Sequence, residues 1–126
     1  EAESPLNALY CFFETALTVP NEQRYMRQCL LVKSIAELDI IGDVAKKAVL
    51  DSMQTLKAGF SDIIEACIEN GELPAHTPTT LAADWLQNQF VGLRAFALMQ
   101  DENKATIQMI DKVMIDLKGQ WPQKTH

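Results

Sequence analysis

The chain has 126 residues, 48% of them hydrophobic, with 11 Lys and Arg against 17 Asp and Glu for a net charge of -6. That suffices for one domain over residues 1–126 with a buried core, and a mean hydropathy of -0.06 excludes a disordered tail. No run of about 18 apolar residues exists, which excludes a membrane-spanning helix. Basic residues scattered from Arg24 to Lys124 exclude a DNA-binding surface on this chain by itself.

Ser4-Pro5 reads as an N-cap with proline at the first helical position, and Leu6, Leu9, Tyr10, Phe13 and Leu17 follow at helical spacing. This predicts a first helix of about 14 residues, broken at Pro20-Asn21. A second helix is expected over Tyr25 to Leu38. After Gly42-Asp43, with Asp43 a candidate N-cap, comes the longest helix, in which Val49, Met53, Leu56, Phe60, Ile63 and Cys67 form one stripe. From Asp43 to Asn70 it would span about 42 Å. Gly71 stands where a left-handed C-cap is wanted, and Pro74 follows where the helix cannot continue.

Thr77-Pro78 repeats the cap-plus-proline signal, for a helix reaching Met99 or Gln100. One of its rows holds Trp85, Gly92, Phe96 and Met99, and another holds Leu86, Phe90, Leu93 and Ala97. A helix apolar on both sides has two partners to satisfy. Asp101 is the expected cap of the last helix, where Ile107, Ile110, Met114 and Leu117 share a face before Gly119 and Pro122. No strand alternation appears, so the expected class is all-α with five helices.

Enzyme chemistry finds little support in these residues. His76 lies in a loop between prolines and His126 is the last residue, so neither faces a nucleophile, and no catalytic residue is assigned. Asp62, Glu65 and Glu69 line one side of the long helix, but no Glu-x-x-His accompanies them, and a solvated acidic face is expected rather than a metal site. No cofactor is implied. Three cysteines without CxxC spacing argue against a disulfide framework or structural zinc and suit a reducing cytoplasm. Cys29, near a helix start with Arg24 and Arg27 close by, is either an activated thiol sensing oxidants or electrophiles or a small core residue. Cys11 and Cys67, set among apolar residues, read as core.

Tyr10 and Phe13 on the first helix and Met53, Leu56 and Phe60 on the long one either fill a core or line a ligand cavity. Tyr10, Ser34 and Gln89 are the polar candidates there. Gly92 interrupts a strong helix, which costs about 1 kcal/mol relative to alanine and is explained by close approach of another helix. Pairing the row of Trp85, Gly92, Phe96 and Met99, together with Ile107, Ile110 and Met114 of the last helix, against a second copy would build a four-helix homodimer interface.

Four pieces in order resemble the TetR family of transcriptional regulators. They are Cys29-Leu30-Leu31-Val32 leading to Ala36-Glu37-Leu38, the long helix ending Gly71-Glu72-Leu73, Thr77 to Leu81, and Phe90-Val91-Gly92-Leu93. Together they cover residues 5 to 118, and they are most similar to the family's C-terminal ligand-binding and dimerisation domain. The resemblance implies a five-helix antiparallel bundle whose pocket takes a small hydrophobic or electrophilic effector. Leu17, Leu86, Phe90 and Leu93 join the pocket residues on that basis, and the last two helices form the dimer interface. It also implies a helix-turn-helix domain, N-terminal to and outside these residues, through which alone DNA is bound and from which effector binding releases it. The alternative is a stand-alone helical carrier or scaffold for hydrophobic molecules, without DNA binding.

Overall fold

The computed structural model describes residues 4–18 and 42–122. These hold four helices: α1 (Pro5–Leu17), α2 (Gly42–Glu69), α3 (Thr79–Leu98) and α4 (Lys104–Leu117). Among the described residues there is no strand. The helix expected over Tyr25 to Leu38 lies outside the described residues, as do Cys29 and Ser34.

α1 begins as its sequence demands. Ser4 is the N-cap and its hydroxyl oxygen accepts from the Asn7 N–H at 3.0 Å, while Pro5 has no N–H to satisfy. The next donor, the Leu6 N–H, is met from far along the chain by Glu72 Oε1 at 3.0 Å. Ser4 also donates its hydroxyl to the Glu72 carboxylate. A negative group at the positive end of α1 thus pins that end to the turn after α2.

That turn closes α2 with the paired hydrogen bonds of a Schellman motif: Glu72 N–H to Cys67 O at 2.9 Å and Gly71 N–H to Ile68 O at 3.1 Å. Gly71 adopts φ 83°, the left-handed conformation glycine reaches without steric cost. Three expected caps do not form. α2 starts at Gly42, which puts Asp43 inside the helix. Thr77 donates its hydroxyl back to Pro74 O at 2.7 Å, so Pro78 is the N-cap of α3 and has no side chain to bond the helix start. Asn103, not Asp101, is the N-cap of α4, and its side chain does not bond the helix start. Where packing holds a helix end in place, a side-chain cap is dispensable.

α2 and α3 run antiparallel, tied by Lys57 Nζ to Asp84 Oδ1 at 2.8 Å and by Gln87 Nε2 donating to Met53 O at 2.8 Å. α1 lies across both and also touches α4. The core joins Leu9, Phe13 and Leu17 to Phe60, Ile64 and Cys67 of α2, to Leu86, Phe90 and Leu93 of α3, and to Ile110, Val113 and Leu117 of α4. Cys11 is exposed, on the side of α1 away from the Leu9, Phe13 and Leu17 stripe, and this corrects its expected place in the core. Cys67 is fully buried, as its place in the α2 stripe implied.

Candidate functional site

Four aromatic rings meet where α1, α2 and α3 converge. Phe13 packs on Phe60 at 5.8 Å and edge-on to Phe90 at 5.3 Å between ring centroids. Phe12, 43% exposed, stacks on Phe90 at 5.3 Å and reaches Phe60 at 6.0 Å. Beside Phe12 and Phe60 opens an apolar hollow of about 340 Å³. Among the described residues it is lined by Leu9, Phe12, Thr55, Leu56, Gly59, Phe60 and Ile63.

Two features give the hollow its chemistry. A Cβ placed on Gly59 would meet nothing within 4 Å among the described residues, so none of them fills this gap in the α2 wall. Thr55 is the polar residue in the lining, and its hydroxyl donates to Asp51 O at 3.1 Å, which leaves its oxygen to accept. The hollow therefore suits an apolar molecule carrying one hydrogen-bond donor.

Of the pocket residues expected from sequence, Leu56 and Phe60 line this hollow, Ser34 lies outside the described residues, and the other described ones are not in the lining. Phe13, Leu17 and Leu86 are sealed in the core at 0%, 1% and 0% exposure, and Phe90 and Leu93 are also buried. Tyr10 lies on the α4 side of α1, beside Met114 and near the Asp111 carboxylate. Burial first, then the negative charges of Asp111 and Glu14, raises its pKa above the usual phenol value. Met53 and Gln89 are half-buried outside the lining, and the side chain reaching α2 is Gln87 rather than Gln89. Phe12 was overlooked although its i+3 spacing from Leu9 is the signal that would have found it.

The outer row of α3 is apolar, with Trp85 and Phe96 partly buried against the edge of the core. Gly92 is exposed and an added Cβ there would touch nothing within 4 Å, while Phe96 is half-buried and Met99 is 57% exposed. Trp85, at the other end of the row, is met edge-on by Trp121 at 5.5 Å. The expected contribution of α4 needs correction. Its core row is Thr106, Ile110, Val113 and Leu117, so Ile110, at 0% exposure, is spent within the chain. That same rotation carries Met114 to the α1 side, where it borders a hollow with Leu6 and Tyr10, and leaves Ile107 half-buried. Asp116 instead lies near Trp85, and Met109, 47% exposed, shares its row about two turns earlier.

Asp62, Glu65 and Glu69 are all exposed, and among the described residues no group of three His, Cys, Asp or Glu could hold a metal ion. No described helix is long and apolar enough to cross a membrane.

Residues 5–112 match the family model described as "Tetracyclin repressor-like, C-terminal domain". The chain belongs to that family, whose domains serve ligand binding and dimerisation in regulators and are generally not enzymes. Neither the curated proteins nor the solved structures contain a match to it.

Proposed function

We propose that this chain is the effector-binding and dimerisation domain of a TetR-type transcriptional repressor working in the cytoplasm. In this reading residues 1–126 form one domain of five helices, the fifth over Tyr25 to Leu38. A small hydrophobic or electrophilic effector enters the hollow beneath Phe12 and relieves DNA binding by an N-terminal helix-turn-helix. The observation that carries the proposal is the hollow itself, which among the described residues is apolar but for the Thr55 hydroxyl and is walled by a glycine with nothing near its Cβ position, in a chain of this family.

Homodimerisation proceeds through the open part of the α3 outer row, Gly92, Phe96 and Met99, flanked by Met109 of α4. Met99 and Met109 are the large apolar side chains exposed on this face, and pairing with a second copy would remove them from water. Cys29 as an electrophile sensor belongs to the same proposal and is tested by its maleimide reactivity near neutral pH against that of a free cysteine.

Nile red, an uncharged apolar dye, tests the hollow. Wild-type protein is expected to shift its emission to the blue, and Gly59→Leu, which fills the open wall, to abolish that shift without lowering the melting temperature. Equal dye binding by the stably folded variant overturns the site. Reading the coding sequence ahead of Glu1 tests the regulator: a helix-turn-helix is expected, and a stop codon overturns repression.

A further inference from the structure

A second cleft, of about 350 Å³, lies at the far end of the α3–α4 pair from Met99, where Trp85, Asp116 and Trp121 come together. The chain contains two tryptophans, and both are here. Their rings stand at 88° with centroids 5.5 Å apart, so the two indoles form a corner rather than a stack. Trp121 is fixed in that pose by its Nε1–H, which donates to Leu117 O at 3.3 Å. Asp116 supplies a carboxylate on the cleft wall, and Gly119 and Gln120 complete the turn that brings Trp121 back over α3.

From this arrangement we infer a binding site for a small organic cation of the quaternary ammonium class. Indole faces carry negative potential and attract a cation whose charge is spread over methyl groups, and perpendicular faces let one such group touch two rings. The neighbouring carboxylate adds charge complementarity without demanding a hydrogen bond, which a quaternary nitrogen cannot give. Asp116 is also paired with Lys112 at 3.1 Å, through Oδ1. That pair is exposed on both sides, so its hold on the carboxylate is weak and exchangeable. The site is separate from the hollow beneath Phe12 and does not rest on the proposed effector or dimer.

Because all tryptophan emission comes from this cleft, the test needs no label. Choline chloride is titrated into the full chain at constant ionic strength, with 3,3-dimethyl-1-butanol, its uncharged carbon analogue, as the control. A saturable change in emission is expected, with half-saturation on the order of 1 mM for choline and none for the alcohol. Asp116→Asn should raise the half-saturation about fivefold or more, and Trp121→Ala, near the chain end, should abolish choline binding followed by calorimetry. Equal responses to choline and the alcohol, no saturation, or unchanged affinity in both folded variants would overturn the site.

Discussion

Cys11 and Cys67 lie on different helices in opposite environments, and their chemistry divides accordingly. Exposed Cys11 is expected to react with maleimide in the native protein while buried Cys67 does not. Burial, with the Glu72 charge adding to it, pushes the Cys67 thiol up to about 11 from 9.0. The folded chain therefore holds this proton at a pH where the unfolded chain has lost it. Its contribution to stability is fully present below pH 9 and is lost as pH rises to about 11, amounting to about 2–3 kcal/mol at most. Denaturant midpoints measured across that range should fall, and Cys67→Ala should flatten the slope. Thr106 offers a second residue-scale case. It is wholly buried in α4, and its Oγ1 has no hydrogen-bond partner. Thr106→Val keeps the shape and removes the unsatisfied hydroxyl, so a gain of about 1 kcal/mol is expected in the unfolding free energy. Neither effect was visible in the sequence. A cysteine among apolar residues reads the same at positions 11 and 67 until the neighbouring helices decide which side is inside.

α1 packs against all three of the other described helices. Its start uses a local cap, Ser4, which the sequence made legible, and a distant one, Glu72, which it did not. Asn70 Nδ2 donates to the same Glu72 oxygen at 3.2 Å, so the carboxylate gathers the end of α2 and the beginning of α1. Glu72→Ala is expected to cost about 1–2 kcal/mol, with faster amide exchange at Leu6 than at Asn7, whose partner Ser4 remains. Equal protection of Leu6 in both proteins would show that the carboxylate does not hold α1. The C-terminal end of α2 was readable because Gly71 and Pro74 act through the local backbone. Thr77 and Asp101 carry the same local signals, yet the caps of α3 and α4 fall at Pro78 and Asn103, because docking of those helices sets their ends.

For the molecule as a whole, the decisive question is what covers the outer row of α3. Among the described residues nothing lies within 4 Å of the Cβ position of Gly92, although a glycine there weakens the helix. In the proposed homodimer a second copy would supply the reason for the glycine. Gly92→Leu should shift the light-scattering mass at micromolar concentration from dimer to monomer while the helix content by circular dichroism holds or rises. A wild-type monomer, or a variant that still dimerises with wild-type affinity, would remove the close-approach explanation.

Periodicity, capping residues and composition acted through neighbours along the chain, and so the sequence by itself determined the all-helical class, the stripe of α2, the two-sided character of α3 and membership of the family. Tertiary structure alone decided the direction in which each stripe points. It turned Tyr10 to Asp111 instead of the pocket, put Phe12 and Gly59 at the hollow, buried Ile110 and set Trp121 on Trp85. The physical reason is that a helix's apolar arc is wider than any one contact. Which part of it becomes core, cavity wall or open face depends on the simultaneous packing of every helix around it.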